Sequence, residues 1–262
     1  MEESLYMEKK MKICFDKNIG TVLYFVEGGS TEFTLLKIIY GKLLHYDYVE
    51  KRRNSPAKFI NNQCGHSQVY VINTKESNIN DISEIDYLDQ ICEYLINHYG
   101  LDLDNAAKFY LFDRDNQSNT DIKRIERYLS ILAEPYGDDT EFEKGGLLLF
   151  SYPSIESFVL SNFREDTYKY TFKLGSDLKT FIGLPENQRE VQFNKISQET
   201  LLHAGNEFLK YLKNIGVDFD LDTLSEMNSA IFCEEETYFA ENQKYQAFSE
   251  LILSLFYLGI LE

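Results

Sequence analysis

The sequence lacks long apolar runs. No segment approaches the ~20 uninterrupted apolar residues that a membrane-spanning helix needs. The first residues, MEESLYMEKKMKICF, are charged and lack the apolar central region of a secretory signal. These absences argue against membrane and secreted proteins. We expect a soluble, cytoplasmic protein without a membrane partner.

Cysteine and histidine are scarce, with four residues of each. The cysteines form no C-x-x-C pair, so neither a structural zinc site nor a disulfide framework is indicated. The histidines show no H-E-x-x-H or H-x-H spacing, and the chain has no G-x-S-x-G sequence. Zinc peptidases and serine hydrolases are therefore excluded as explanations.

Positive charge is also in short supply, since 26 Lys and Arg residues face 43 Asp and Glu residues, for a net charge of −17. An acidic chain repels nucleic acid through its long-range field, so non-specific coating of DNA is not expected. An acid-rich surface fits a protein partner, a localised nucleic-acid groove or divalent cations. Charge alone does not separate these possibilities.

What the sequence does contain is alternating strand and helix patterns. Apolar stretches typical of buried strands cover 21–27, 67–73, 108–115 and 146–153, and helical periodicity covers 33–44, 85–99 and 122–132. This alternation predicts an α/β fold, a mostly parallel sheet flanked by helices. We expect it to occupy residues 1–160, with a further extended piece at 45–50.

Residues 161–262 have a different texture and predict a mainly helical C-terminal part. Three runs from 197 onward look helical, the last covering 234–262. Ser197 is a candidate cap at the start of the first run, and Gly216 is a candidate stop.

Acidic side chains follow three of the predicted strands. Glu27 ends the first in VLYFVEGGSTEF, Asp113 and Asp115 end the third in YLFDRD, and Glu156 follows the fourth in SYPSIESF. Parallel strands finish at the same edge of a sheet, where ligands bind. We therefore expect these carboxylates to converge.

The D-x-D spacing is typical of a cation site. Two residues apart on a strand, Asp113 and Asp115 lie on one side at about 7 Å, with Arg114 pointing away. Such carboxylates repel each other unless a cation or a proton intervenes, and oxygen-preferring Mg²⁺ suits the group. The alternative is that Asp113 caps a turn, Asp115 is solvated, and EGGST is only a glycine turn with a polar helix cap.

The order strand–EGGSTE, strand–DRD, strand–YPSIESF resembles the Toprim fold across about 130 residues. In particular, it is similar to small bacterial defence proteins related to OLD-family and RloB-like nucleases. The matching positions are Glu27 and Gly28 for the Glu-Gly motif, Asp113 and Asp115 for D-x-D, Glu32 for a further acid, and Pro153 and Glu156 for a proline-x-x-glutamate segment.

This resemblance implies Mg²⁺ or Mn²⁺ bound by Asp113 and Asp115, with Glu27 as general acid/base or metal ligand. Glu156 is a candidate ligand, and Glu32 either completes a second metal site or stabilises the start of a helix. The implied activity is a metal-dependent nuclease acting on DNA or RNA, tRNA included, as an effector of bacterial anti-phage defence. The chain has no G-x-x-x-x-G-K-[ST] sequence, so an ATP-driven step would need a partner ATPase or another defence-system protein.

In so acidic a chain, a substrate phosphate needs positively charged side chains or backbone N–H groups to bind it. The candidates are Gly28, Gly29, Lys51, Arg52, Arg53 and Arg114. For the basic residues at 51–58, a solvated loop is the favoured interpretation.

Two other functions fit the same residues. In many Toprim proteins a glycine follows the D-x-D motif, whereas DRDNQSN supplies none. This departure and the net charge favour a catalytically inactive Toprim-like module that senses or binds a partner. A small-molecule phosphotransfer or nucleotide-binding enzyme fits the acids, but the chain offers no phosphate-cradling loop beyond EGGST.

Overall fold

The fold is described from a computed structural model, which covers residues 11–28, 30–49, 56–63, 66–74, 85–115, 121–136 and 145–262; side chains are not described for 85–91. The strands are β1 (Thr21–Val26), β2 (Asp47–Val49), β3 (Ala57–Asn61), β4 (Ser67–Asn73), β5 (Ala106–Asp113), β6 (Ala133–Glu134), β7 (Gly146–Tyr152), β8 (Thr171–Phe172), β9 (Tyr245–Gln246) and β10 (Phe248–Ser249).

The helices alternate with the strands in the first half of the chain and dominate the second. They are α1 (Thr31–Leu36), α2 (Ile85–Tyr99), α3 (Ile122–Ile131), α4 (Glu156–Ser161), α5 (Gly175–Gly183), α6 (Pro185–Gln188), α7 (Gln198–Ile215), α8 (Leu224–Asn242) and α9 (Leu251–Tyr257). A π-helical stretch, Lys37–Leu43, continues α1. Within the described residues, no helix is both long and apolar enough to cross a membrane.

Eight of the described strands form one mixed sheet, in the order β10-β7-β5-β1-β4-β3-β2 with β6 beside β7. The central strands β7, β5, β1 and β4 run parallel. On one side β3 pairs antiparallel with β4 and β2 pairs antiparallel with β3, and on the other side β10 pairs antiparallel with β7. All seven residues of β7 are buried, as expected for a parallel strand covered on both faces. The predicted α/β fold, a mostly parallel sheet flanked by helices, is confirmed.

The four predicted strands and the three predicted helices are present, but two local predictions are wrong. Residues at the end of the expected basic loop begin β3 at Ala57, which pairs with β4. The run 234–262 is not one helix, because α8 ends at Asn242 and the next residue, Gln243, has a positive φ of 57°. The chain then forms β9 and β10. The short β10 is specified by its pairing with β7, a non-local contact that local periodicity does not report.

The helical C-terminal part is confirmed, including the two ends of its first long helix. Helix α7 begins after Ser197, whose hydroxyl accepts a hydrogen bond from the Thr200 amide at 3.3 Å. It ends at Gly216, where φ is 71°. One hydrophobic core, from Ile19 to Leu261, runs through the sheet and the C-terminal helices. The division at residue 160 stays a prediction.

Candidate functional site

The strand ends meet as the parallel order requires. Val26, the last residue of β1, is opposite Leu111 of β5, and Asp113 of β5 is opposite Ser151 of β7. The carboxyl ends of three adjacent strands therefore lie at one edge of the sheet. We call the five acidic residues at this edge the acid cluster: Glu27, Glu32, Asp113, Asp115 and Glu156.

Glu27 connects the ends of β1 and β5. It follows five buried apolar residues and is itself half-buried. Its Oε2 accepts a hydrogen bond from the backbone N–H of Asp113 at 2.7 Å. The Glu27 carboxylate at the end of the first predicted strand therefore lies against the backbone at the end of the third.

The D-x-D segment alternates as an extended chain should. Asp113 and Asp115 are half-buried, whereas Arg114 is 1% exposed. Asp113 Oδ1 accepts a hydrogen bond from the Ile155 amide, just before α4, at 2.8 Å. Asp115 lies beside the start of α5, since a Cβ atom added to Gly175 would be 3.7 Å from Asp115 Oδ2.

Glu32 and Glu156 each lie in the first turn of a helix and are nearly buried, at 6% and 7% exposure. The Glu32 carboxylate lies over Gly28, because a Cβ atom at Gly28 would be 2.8 Å from Glu32 Oε2. Glu156 Oε2 accepts a hydrogen bond from Ser154 Oγ at 2.8 Å. Both interpretations of Glu32, at the helix start and within the acid cluster, agree with this position.

Burial and the charges of neighbouring acids raise the pKa values of Glu27, Glu32 and Asp113. Loss of hydration is the largest cause for Glu27, followed among the raising effects by Glu32 and Asp115, and its pKa rises to about 8. The pKa of Asp113 lies well above its usual range because of burial and then the charges of Glu27, Glu156 and Glu32. Burial likewise raises the pKa of Glu32. The cluster is therefore short of positive charge.

No protein-family model matches the sequence, and comparisons with curated proteins and with solved structures find no match either. Evidence on function therefore comes from the site itself. Its donors are carboxylate oxygens, the ligands that Mg²⁺ and Mn²⁺ prefer.

As they stand, the carboxylates do not form a completed cation site. Among the residues that the structure describes, no three His, Cys, Asp or Glu side chains are grouped closely enough to hold a metal ion. Glu27 and Asp113 instead accept hydrogen bonds from backbone amides, and Glu156 accepts one from Ser154. The donor set fits the chemistry of a hard cation, but binding would require these side chains to turn away from their present donors.

One positive side chain reaches the acid cluster from the C-terminal part. Lys179 of α5 lies with its Nζ 3.5 Å from Glu156 Oε1, and its side chain is 55% exposed. Its charge lowers the pKa values of Glu27 and Glu32. Sequence reasoning missed Lys179, because it lies in a segment, TYKYTFKLGSDLKTFIGLP, that favoured neither helix nor strand.

The predicted phosphate contacts are less well supported. Arg114 does not face the acid cluster, because its buried guanidinium pairs with Glu236 of α8 at 2.8 Å. We therefore withdraw it as a phosphate contact. Gly28 lies beneath the Glu32 carboxylate. The other candidates, Gly29, Lys51, Arg52 and Arg53, lie outside the described residues.

Proposed function

We propose that the chain is a divalent-metal-dependent nuclease that hydrolyses phosphodiester bonds in DNA or RNA. The observation that carries the proposal is the meeting of five carboxylates, from the ends of β1 and β5 and the starts of α1 and α4, at one edge of the sheet. Such a concentration of buried negative charge is unfavourable unless a cation or protons balance it. A bound Mg²⁺ or Mn²⁺ ion would balance this negative charge and could also take part in catalysis.

The residues divide into three roles. Asp113 and Asp115 would hold the principal cation, with Glu156 as a further ligand, and a bound cation would activate water and stabilise the leaving oxygen. Glu27 either transfers a proton as general acid/base or joins the ligands. For Glu32 two roles fit: it would complete a second cation site, or it stabilises the start of α1.

Lys179 supplies what the acids lack, a flexible positive charge at the edge of the cluster. We assign it to the substrate phosphate in place of Arg114, because it is exposed and reaches Glu156. A lysine acts on phosphate as a mobile point charge and does not need a fixed fork geometry.

The biological role that we propose is that of an effector in bacterial anti-phage defence, acting with an ATPase or another defence-system protein. This part rests on the order of the EGGSTE, DRD and YPSIESF motifs. Transfer RNA belongs among the substrates to test.

The decisive experiment is cleavage of plasmid DNA, single-stranded DNA and tRNA in Mg²⁺, Mn²⁺ or EDTA. We expect metal-dependent cutting that Glu27→Gln reduces by about 100-fold or more, the range expected for loss of an acid–base group. Asp113→Asn removes a proposed cation ligand and should reduce cutting at least as much. Glu126→Gln, at an exposed position on α3, is the matched control and should cut normally. Equal cutting by all four proteins would disprove the assignment.

The second candidate is an inactive partner-binding or sensor module. It is favoured by one observation: the described acids have no completed cation site and are satisfied by backbone amides, Ser154 and Lys179. In that case the purified chain neither cuts any substrate nor binds Mn²⁺, and Asp113→Asn leaves partner binding intact. Calorimetric titration with Mn²⁺ separates the two candidates.

A further inference from the structure

Arg114 lies within D-x-D but belongs to a different environment from its neighbours. Side chains alternate across an extended chain, so the segment that directs Asp113 and Asp115 towards the acid cluster directs Arg114 to the opposite side. There its side chain is 1% exposed. An arginine buried at this position needs a partner, and that partner comes from the helical C-terminal part.

The partner is Glu236 of α8, which Arg114 contacts through two hydrogen bonds. Arg114 Nε donates to Glu236 Oε1 at 2.8 Å, and Nη2 donates to Oε2 at 2.9 Å. The guanidinium also lies 5.9 Å from the ring centre of Phe232 and 5.5 Å from that of Tyr245. A two-bond pair with aromatic neighbours fixes the orientation of arginine more tightly than a single contact does.

The backbone at this point is held as well. The Arg114 amide donates to the Ser151 carbonyl at 2.8 Å, which ties D-x-D to β7. The Tyr245 hydroxyl donates to Glu236 Oε1 at 3.3 Å, which ties the carboxylate to β9. At Arg114, between its two aspartates, the D-x-D segment is thus linked to β7, α8 and β9.

A buried ion pair is a weak source of net stability, because desolvation offsets most of its attraction. The effect of the Arg114–Glu236 pair on geometry is more specific than its effect on stability. If the Arg114 side chain moved, the backbone carrying Asp113 and Asp115 would move with it.

We propose that Glu236 is a positioning residue of the acidic site: by holding Arg114, helix α8 fixes D-x-D and thereby places Asp113 and Asp115. The inference rests on the proposed function and adds that the C-terminal helices are part of the working site. Glu236 itself touches neither the substrate nor the cation.

The test uses the full chain with three variants. Glu236→Gln removes the charge and leaves a buried arginine unpaired. The double variant Arg114→Met with Glu236→Leu removes the pair but fills its space with apolar atoms, which restores stability in comparable cases. Glu235→Gln is the matched control, because this adjacent buried acid bonds to Tyr211 and to the Gln246 amide, away from D-x-D.

The first measurement is amide hydrogen exchange of the metal-free protein at Asp113 and Ile155, whose N–H groups donate to Glu27 and Asp113. We expect exchange at both to accelerate by about tenfold or more in the double variant, with melting temperature retained and with the Tyr110 amide unchanged. Unchanged exchange at Asp113 and Ile155 in the double variant, or equal acceleration in Glu235→Gln, would overturn the inference.

The second measurement is Mn²⁺ affinity, which we expect to fall by about 10-fold to 100-fold in the double variant, as for loss of other groups that orient metal ligands. Normal affinity in a stable double variant would also overturn the inference. If the unmodified chain binds no Mn²⁺ while exchange still accelerates, the proposed function fails and the positioning of D-x-D by Glu236 stands.

Discussion

At the scale of single residues, Gly28 shows why the glycine of the Glu-Gly motif matters. The Glu32 carboxylate occupies the space that a side chain at position 28 would take, with both oxygens within 2.9 Å of the absent Cβ. Glycine therefore allows an acid from α1 to lie close to the backbone after β1 and to reach Glu27 and Asp113. The absence of a side chain at Gly28 thus accounts for the position of the Glu32 carboxylate in the acid cluster.

The first residue-scale prediction concerns Gly28→Ala. The added methyl group meets the end of a flexible side chain, so we expect Glu32 to be displaced and the free energy of unfolding to change by less than about 1 kcal/mol. Mn²⁺ affinity and cleavage should fall to the level of Glu32→Gln. Calorimetry and the cleavage assay measure this outcome.

The control for that substitution is Gly183→Ala at the end of α5, where an added Cβ has no atom within 4 Å. It should leave both affinity and cleavage unchanged. A Gly28→Ala protein that binds Mn²⁺ normally would show that Glu32 contributes nothing to the site.

The sequence predicted that the carboxylates would converge, but it wrongly placed Arg114 among the phosphate contacts and did not indicate Lys179. Glu27, Asp113 and Glu156 could be placed because parallel strands end at one edge, a rule that needs only strand order. The partner of Arg114 is 122 positions away on α8, and no local pattern links the two. Lys179 depends on how α5 docks beside Glu156, which is tertiary information.

At the scale of elements, α5 brings a lysine to an acidic edge that the strands alone would leave without one. Its exposure and its 3.5 Å contact with Glu156 suit a group that exchanges a carboxylate for a substrate phosphate. The helix also begins beside Asp115, whose Oδ2 would be 3.7 Å from a Cβ atom added at Gly175. Under the proposed function, α5 thus brings Lys179 to the substrate phosphate and places Gly175 beside Asp115, a proposed cation ligand.

The element-scale prediction is that Lys179→Gln separates these two effects. We expect KM for the nucleic-acid substrate to rise by about tenfold, the cost of one charge-assisted contact, while Mn²⁺ affinity stays equal or increases because a competing positive charge is lost. Lys173→Gln, at an exposed position just before α5, is the control. A fall in Mn²⁺ affinity without a change in KM would contradict the phosphate assignment.

The same scale explains which parts of the fold were predictable. Helices α2 and α7 carry long apolar periodicity, and α7 has its own Ser197 cap and Gly216 stop, so local sequence specifies them. Strand β10 has two residues between a helix and another short strand. Its pairing with β7 is continued by Glu250, whose Oε2 accepts a hydrogen bond from the Phe150 amide at 2.6 Å.

At the scale of the whole molecule, the interior holds several carboxyl groups. Glu235 and Glu250 are both 0% exposed. Burial, as the largest cause, raises the pKa of Glu235 to about 8, with the neighbouring Glu236 and Glu234 adding to the effect. The pKa of Glu250 lies well above its usual range, also because of burial. In the folded protein these groups keep protons that the unfolded chain releases near its ordinary value of 4.5.

The whole-molecule prediction is therefore a loss of stability with rising pH. The contribution of Glu235 is fully present below pH 4.5 and is lost progressively as pH rises to about 8, since unfolding releases its proton in that window. At about 1.4 kcal/mol per pKa unit, the effect reaches a few kcal/mol. Urea unfolding at several pH values measures the slope.

Glu235→Gln should flatten that slope, because the amide does not titrate. Glu234→Gln, the exposed neighbour on the same helix, should leave the slope as it is in the unmodified protein. Identical slopes in all three proteins would show that Glu235 is ionised in the folded state.

The position of β10 has a consequence for self-association. Without its pairing to Phe248 and Ser249, β7 would present unpaired backbone groups along a fully buried, leucine-rich strand. An open apolar strand of this kind recruits strands from other molecules and starts aggregation. Phe248, Ser249 and the buried Glu250 thus cover the edge of β7 to which further strands could otherwise add.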